Sequence, residues 1–131
     1  MKQYLMVAVI VFCALLYGCS SAKDDGKLED LDFTVVEENK IPEELKQMID
    51  QKKKGEFTMT YQDGNLLYIV VGYGEQNTGG YSIEVPAFYL TKDAIVIDTN
   101  LLGPGSDAVT QASYPVIVVM TEFRDLPVLY K

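Results

Sequence analysis

Residues Leu66 to Tyr73, Leu-Leu-Tyr-Ile-Val-Val-Gly-Tyr, form a near-continuous apolar run that lacks the polar alternation of a half-exposed strand. Its length and its β-branched and aromatic content fit a strand, and a strand this apolar has to be covered on both faces. From Glu56 onward the rest of the chain also reads as β. Phe57 to Tyr61 alternates, and Asp63-Gly64-Asn65 marks a hairpin turn. Tyr81 to Thr91 and Ala94 to Thr99 flank a tight turn at Lys92-Asp93, and Pro86 implies a bulge or an edge in the first of them. Gly103-Pro104-Gly105-Ser106-Asp107 reads as an irregular loop, Pro115 to Phe123 as the last strong strand, and Leu126 to Tyr130 as a short edge.

Before Glu56 there is a short strand candidate, Phe33 to Val36, and one helix, Pro42 to about Lys54. Pro42 suits the first helical position, and Glu43 and Glu44 stand where the helix dipole favours acids. Lys52, Lys53 and Lys54 close the last turn, with Gly55 as the C′ residue. Ile41, Leu45, Met48 and Ile49 form one narrow apolar stripe. The fold class expected is therefore mainly β (α+β): an antiparallel β-sandwich or roll of five to six strands with one N-terminal helix.

Composition narrows what such a domain can do. The chain has 131 residues, room for one small domain, with 11 basic and 19 acidic side chains, a formal net charge of −8 and no histidine. The acid excess argues against nucleic acid as a partner, because phosphates are neutralised by clustered Lys and Arg. Without histidine, imidazole metal sites and imidazole acid–base mechanisms are excluded. Ser82, Ser106 and Ser113 stand beside no motif that supplies a lysine base, and Asp63, Asp93, Asp98 and Asp107 fall mainly in turns or loops. Glu29, Asp30 and Asp32 lack the spacing and the turn glycine of a calcium loop. We expect no enzyme activity, no catalytic residue, no metal and no cofactor.

The first residues carry an address. A short basic start, an apolar stretch from Tyr4 to Tyr17 and a small residue at Gly18 describe a secretory signal peptide over 1–18. Leu16-Tyr17-Gly18-Cys19 resembles the bacterial lipoprotein box, which implies cleavage after Gly18 and diacylation of Cys19. Two acyl chains suffice for stable anchoring where one does not. Cys13 would leave with the signal, so the mature chain would hold no free thiol. Residues 19–31 read as the lipidated cysteine and a flexible polar tether able to reach about 40 Å when stretched, followed by a single β-rich domain over 32–131. The localisation expected is the extracytoplasmic face of a cell membrane.

One segment stands out in the domain. Gly74-Glu75-Gln76-Asn77-Thr78-Gly79-Gly80-Tyr81 leads out of the apolar run through a glycine-rich turn, where Gly79 and Gly80 allow positive φ before Tyr81 re-enters the sheet. On physics alone this is a hairpin loop that needs glycine, or an exposed loop presenting backbone and Tyr81 to a partner. The segment resembles the Gly-x-x-x-Thr-Gly-Gly-Tyr signature of the C-terminal domain of the PrcB family of protease-complex subunits. Pro104-Gly105, Thr110-Gln111 and Tyr114 to Val119 are similar to that family's second half, so the resemblance covers roughly residues 66 to 120. It implies a lipid-anchored, non-enzymatic protein that binds or stabilises another envelope or secreted protein, with a protease as the candidate partner. The contact residues it points to are Asn77, Thr78, Gly79, Gly80 and Tyr81, with Pro104 and Gly105 in a second loop. Two alternatives stand beside it. Asn77 to Tyr81 faintly resembles the Asn-Pro-Thr-Thr-Gly-Tyr loop of chagasin-like cysteine-protease inhibitors, although the Arg-Pro-Trp turn of that family is missing. The other is a structural envelope lipoprotein whose loop has no ligand.

Overall fold

The computed structural model describes residues 26–131. The expected signal peptide, Cys19 and the tether as far as position 25 lie outside the described residues. In chain order the elements are β1 (Glu29–Asp30), β2 (Thr34–Val35), α1 (Glu43–Lys52), β3 (Glu56–Asp63), β4 (Leu66–Tyr73), β5 (Ser82–Leu90), β6 (Ile95–Leu102), β7 (Val116–Glu122) and β8 (Val128–Tyr130). They build two four-stranded sheets, one in the order β2-β7-β4-β3 and the other β1-β5-β6-β8. All pairings are antiparallel except β6 with β8, which is parallel. This is the expected mainly-β sandwich with one helix.

Strand β4 lies between β3 and β7, and both of its faces are covered, as its composition requires. Leu67, Ile69 and Val71 point into the space between the sheets, against Phe88, Ile95, Ile97, Ile117 and Val119. Tyr68 and Val70 point the other way, onto Leu45 and Ile49 of α1 and onto Val118. The outer face that would otherwise meet water is thus closed by the helix stripe. The β3–β4 hairpin turns at Gly64 (φ 62), and Asp63 pairs with Leu66 across it. Pro86 sits where the β5–β6 register shifts between Glu84 and Ala87, the irregularity that a residue without an N–H imposes. Between those strands the Thr91 hydroxyl accepts the N–H groups of Asp93 (3.2 Å) and Ala94 (3.0 Å), which fixes the Lys92-Asp93 turn.

Several expectations are corrected. There are eight strands among the described residues rather than five or six. The unexpected strand is β1, two residues long and too short to leave a periodic signal, whereas β2 and β8 fall within the short candidates Phe33 to Val36 and Leu126 to Tyr130. The tether expected up to residue 31 ends sooner, since Glu29 and Asp30 pair with Leu90 and Tyr89 and Leu31 is buried in the core. Pro42 stands just outside α1, its carbonyl accepting the Lys46 N–H at 2.9 Å. Gly55 is not a left-handed C′ residue, because the helix closes on Lys53, whose N–H bonds Ile49 at 2.9 Å.

Candidate functional site

Strands β4 and β5 belong to different sheets, so the glycine-rich segment between them is a crossover and not a hairpin loop. The chain returns between β6 and β7 through residues 103–115, a second crossover carrying Pro104, Gly105 and the short 3-10 helix Gly105–Asp107. The two run side by side. Isolated antiparallel bridges join Gln76 to Ser113 and Gly79 to Val109. The Gln76 N–H donates to the Ser113 carbonyl (2.8 Å), the Ser113 N–H donates to the Gln76 carbonyl (3.0 Å), and the Gly79 N–H donates to Val109 (2.8 Å). The Ser113 hydroxyl adds a bond to the Thr78 carbonyl at 2.7 Å.

The end of this ribbon next to β4 and β7 is fastened to the sandwich. The Glu75 N–H bonds the Lys54 carbonyl at 3.1 Å, and the Tyr73 N–H bonds Pro115 at 3.0 Å. The Gln76 side-chain amide turns back to the carbonyls of Tyr73 (3.2 Å) and Gly74 (3.4 Å). Glycine is required at two places. Gly74 has φ 80, and a Cβ there would meet the Glu56 nitrogen at 3.2 Å and the Gly55 carbonyl carbon at 3.3 Å. Gly80 has φ 91, a conformation that L side chains avoid, and it aims the chain into β5. Gly79, expected to share that role, does not: it sits in the bridge without positive φ.

The sequence-predicted residues divide by exposure. Asn77, Gly80 and Gly105 are exposed, whereas Thr78, Gly79, Tyr81 and Pro104 are half-buried. Asn77 to Tyr81 therefore form one wall of the ribbon, and the connection holding Pro104 and Gly105 supplies the other. Gln76, Val109 and Ser113 were not singled out from the sequence. Val109, which accepts the Gly79 N–H through its carbonyl, leaves its apolar side chain 55% exposed.

Chemically the ribbon consists of backbone groups and small, mostly uncharged side chains. Its two connections contain only Glu75 and Asp107 as charged residues, in a chain of net charge −8. The Ser113 hydroxyl is committed to a carbonyl, and for Ser106 the chain offers no histidine and the described residues no cysteine. Among the described residues, no group of three or more Asp, Glu, Cys or His could hold a metal ion. Most tyrosines among the described residues serve packing. The Tyr73 hydroxyl shares a 2.6 Å hydrogen bond with Thr99, Tyr89 is buried, and burial pushes the Tyr130 phenol up to about 12. The Tyr61 hydroxyl donates to Glu44 at 2.7 Å, which holds its pKa above the usual value.

Residues 67–122 match the family model described as PrcB C-terminal. That segment runs from β4 through both crossovers to the end of β7, so it contains the whole ribbon. No curated protein and no solved structure matches the chain.

Proposed function

We propose, from the match of residues 67–122 to the family model described as PrcB C-terminal, that this domain is a non-enzymatic binding module of a protease-associated assembly, held at the outer face of a membrane by a lipid on Cys19. The observation that carries the reading is the ribbon of paired crossovers: two connections tied by bridges into one rigid surface, with Asn77 and Val109 left facing solvent. Preorganised loops on a β scaffold bind without the entropic cost of ordering them.

The test is capture from detergent-solubilised envelope with the full chain as bait. Asn77→Ala combined with Val109→Ala removes exposed groups without touching the main-chain ties. It is expected to reduce recovery of a specific partner about tenfold, the effect of losing roughly 1.4 kcal/mol at a contact. Equal recovery with both baits overturns the assignment of the ribbon. The anchor is tested separately: Cys19→Ser is expected to move the protein from the membrane to the soluble fraction and to abolish incorporation of labelled fatty acid. Acylation that persists in the variant overturns the lipid site.

A further inference from the structure

A two-sheet sandwich has four edges, and here they differ. The edge strands β1, β2 and β8 are two, two and three residues long. The fourth, β3, has eight residues in unbroken register with β4. Natural sandwiches protect a long edge with Lys, Pro or a bulge, because its free N–H and C=O groups template another strand. The β3 sequence Glu-Phe-Thr-Met-Thr-Tyr-Gln-Asp has none of these.

Its open groups can be assigned from the hairpin. Asp63 and Leu66 close a two-residue turn, which makes them a mutually hydrogen-bonded pair, and bonding then alternates along the register. Thr58, Thr60 and Gln62 therefore turn their N–H and C=O groups away from β4. Among the described residues, no other backbone hydrogen bond reaches them. Their side chains, on the sheet face opposite to α1, are exposed as well.

We propose that β3 of one molecule pairs antiparallel with β3 of a second copy, about a two-fold axis at Thr60. The sequence is self-complementary in that register. Thr60 meets Thr60, a favourable cross-strand pair, and Thr58 meets Gln62. On the other face Met59 meets Tyr61, extending the half-buried cluster that already contains both. The acidic residues of the strand are Glu56 and Asp63 at its ends, so no like charges oppose each other across Thr58 to Gln62. The pairing closes about six backbone hydrogen bonds. One strand pair is smaller than the roughly 1,200–2,000 Å² of a stable interface, which makes this a transient association. It does not involve the ribbon and stands independently of the proposed function.

Cross-linking tests it with register precision. In the full chain with Cys13→Ser and Cys19→Ser, purified in detergent, Thr60→Cys is expected to form a disulfide-linked dimer under mild oxidation. Thr58→Cys is expected to yield at least about tenfold less, because the two copies of position 58 stand about four residue steps apart, roughly 14 Å, beyond disulfide reach. Adding Thr58→Pro to the Thr60→Cys chain removes an outward N–H and is expected to abolish the dimer while leaving the β circular dichroism intact. No cross-link at position 60, or equal cross-linking at 58 and 60, overturns the proposal.

Discussion

Replacing Leu45 by alanine is expected to lower the unfolding free energy by about 2–5 kcal/mol, the range for deleting a fully buried leucine side chain. Leu45 is 0% exposed and projects from α1 onto Tyr68, Val70 and Val118, the outer face of the β4 sheet. A ten-residue helix has little stability of its own in water, so its docking depends on this contact and on Ile49. Loss of Leu45 leaves a cavity at the helix–sheet seam and exposes the outer side of an apolar central strand. Met48, on the rim of the same stripe and 36% exposed, serves as the control: Met48→Ala is expected to cost under about 1 kcal/mol. Urea unfolding followed by circular dichroism measures both. A Leu45→Ala cost near that of Met48→Ala would mean that the helix does not seal the sheet.

Replacing Gly74 by valine is expected to cost about 3 kcal/mol. Two penalties combine. Left-handed backbone costs an ordinary L-residue about 1–2 kcal/mol and a β-branched one more. The added Cβ also presses on the backbone of Gly55 and Glu56, at 3.3 and 3.2 Å, where no flexible side chain can yield. For a domain of this size, 3 kcal/mol corresponds to a fall in Tm of roughly 12–24 °C. Gly79→Ala is the informative comparison, since a Cβ there meets Val109 only at ordinary contact distance, 3.7 Å, and its φ is not positive. Its cost is expected to stay under about 1 kcal/mol. Equal losses for the two variants would show that the ribbon tolerates no Cβ anywhere, and that its glycines act by crowding and not by backbone conformation.

The long strands and the helix were legible because each carries a periodic or continuous apolar pattern over eight or more residues, or nearly so. Leu66 to Tyr73 announced its double burial, and Pro86 announced its irregularity. One short edge was not legible: Glu29-Asp30 is charged and becomes a strand only because Leu90 and Tyr89 offer it a ladder. For the candidate site, the sequence pointed to Asn77 to Tyr81 and to Pro104-Gly105 as two separate loops. It held no sign that one lies against the other, because bridges between Gln76 and Ser113 or Gly79 and Val109 join residues distant in the chain, 37 and 30 positions apart.

By itself, then, the sequence determined the local choices: which stretches extend, where the helix starts, where the chain turns, and which chemistries are closed to a chain without histidine. Those choices follow from side-chain shape and spacing within a few residues. Only the tertiary structure decided which sheet each strand joins. That assignment turned a glycine-rich turn from a hairpin into a crossover, set two crossovers against each other, and left β3 as the one long open edge among the described residues. Strand pairing is a contest among distant backbone groups that all carry the same donors and acceptors, and it is settled by burial of the whole sandwich and not by any one segment of it.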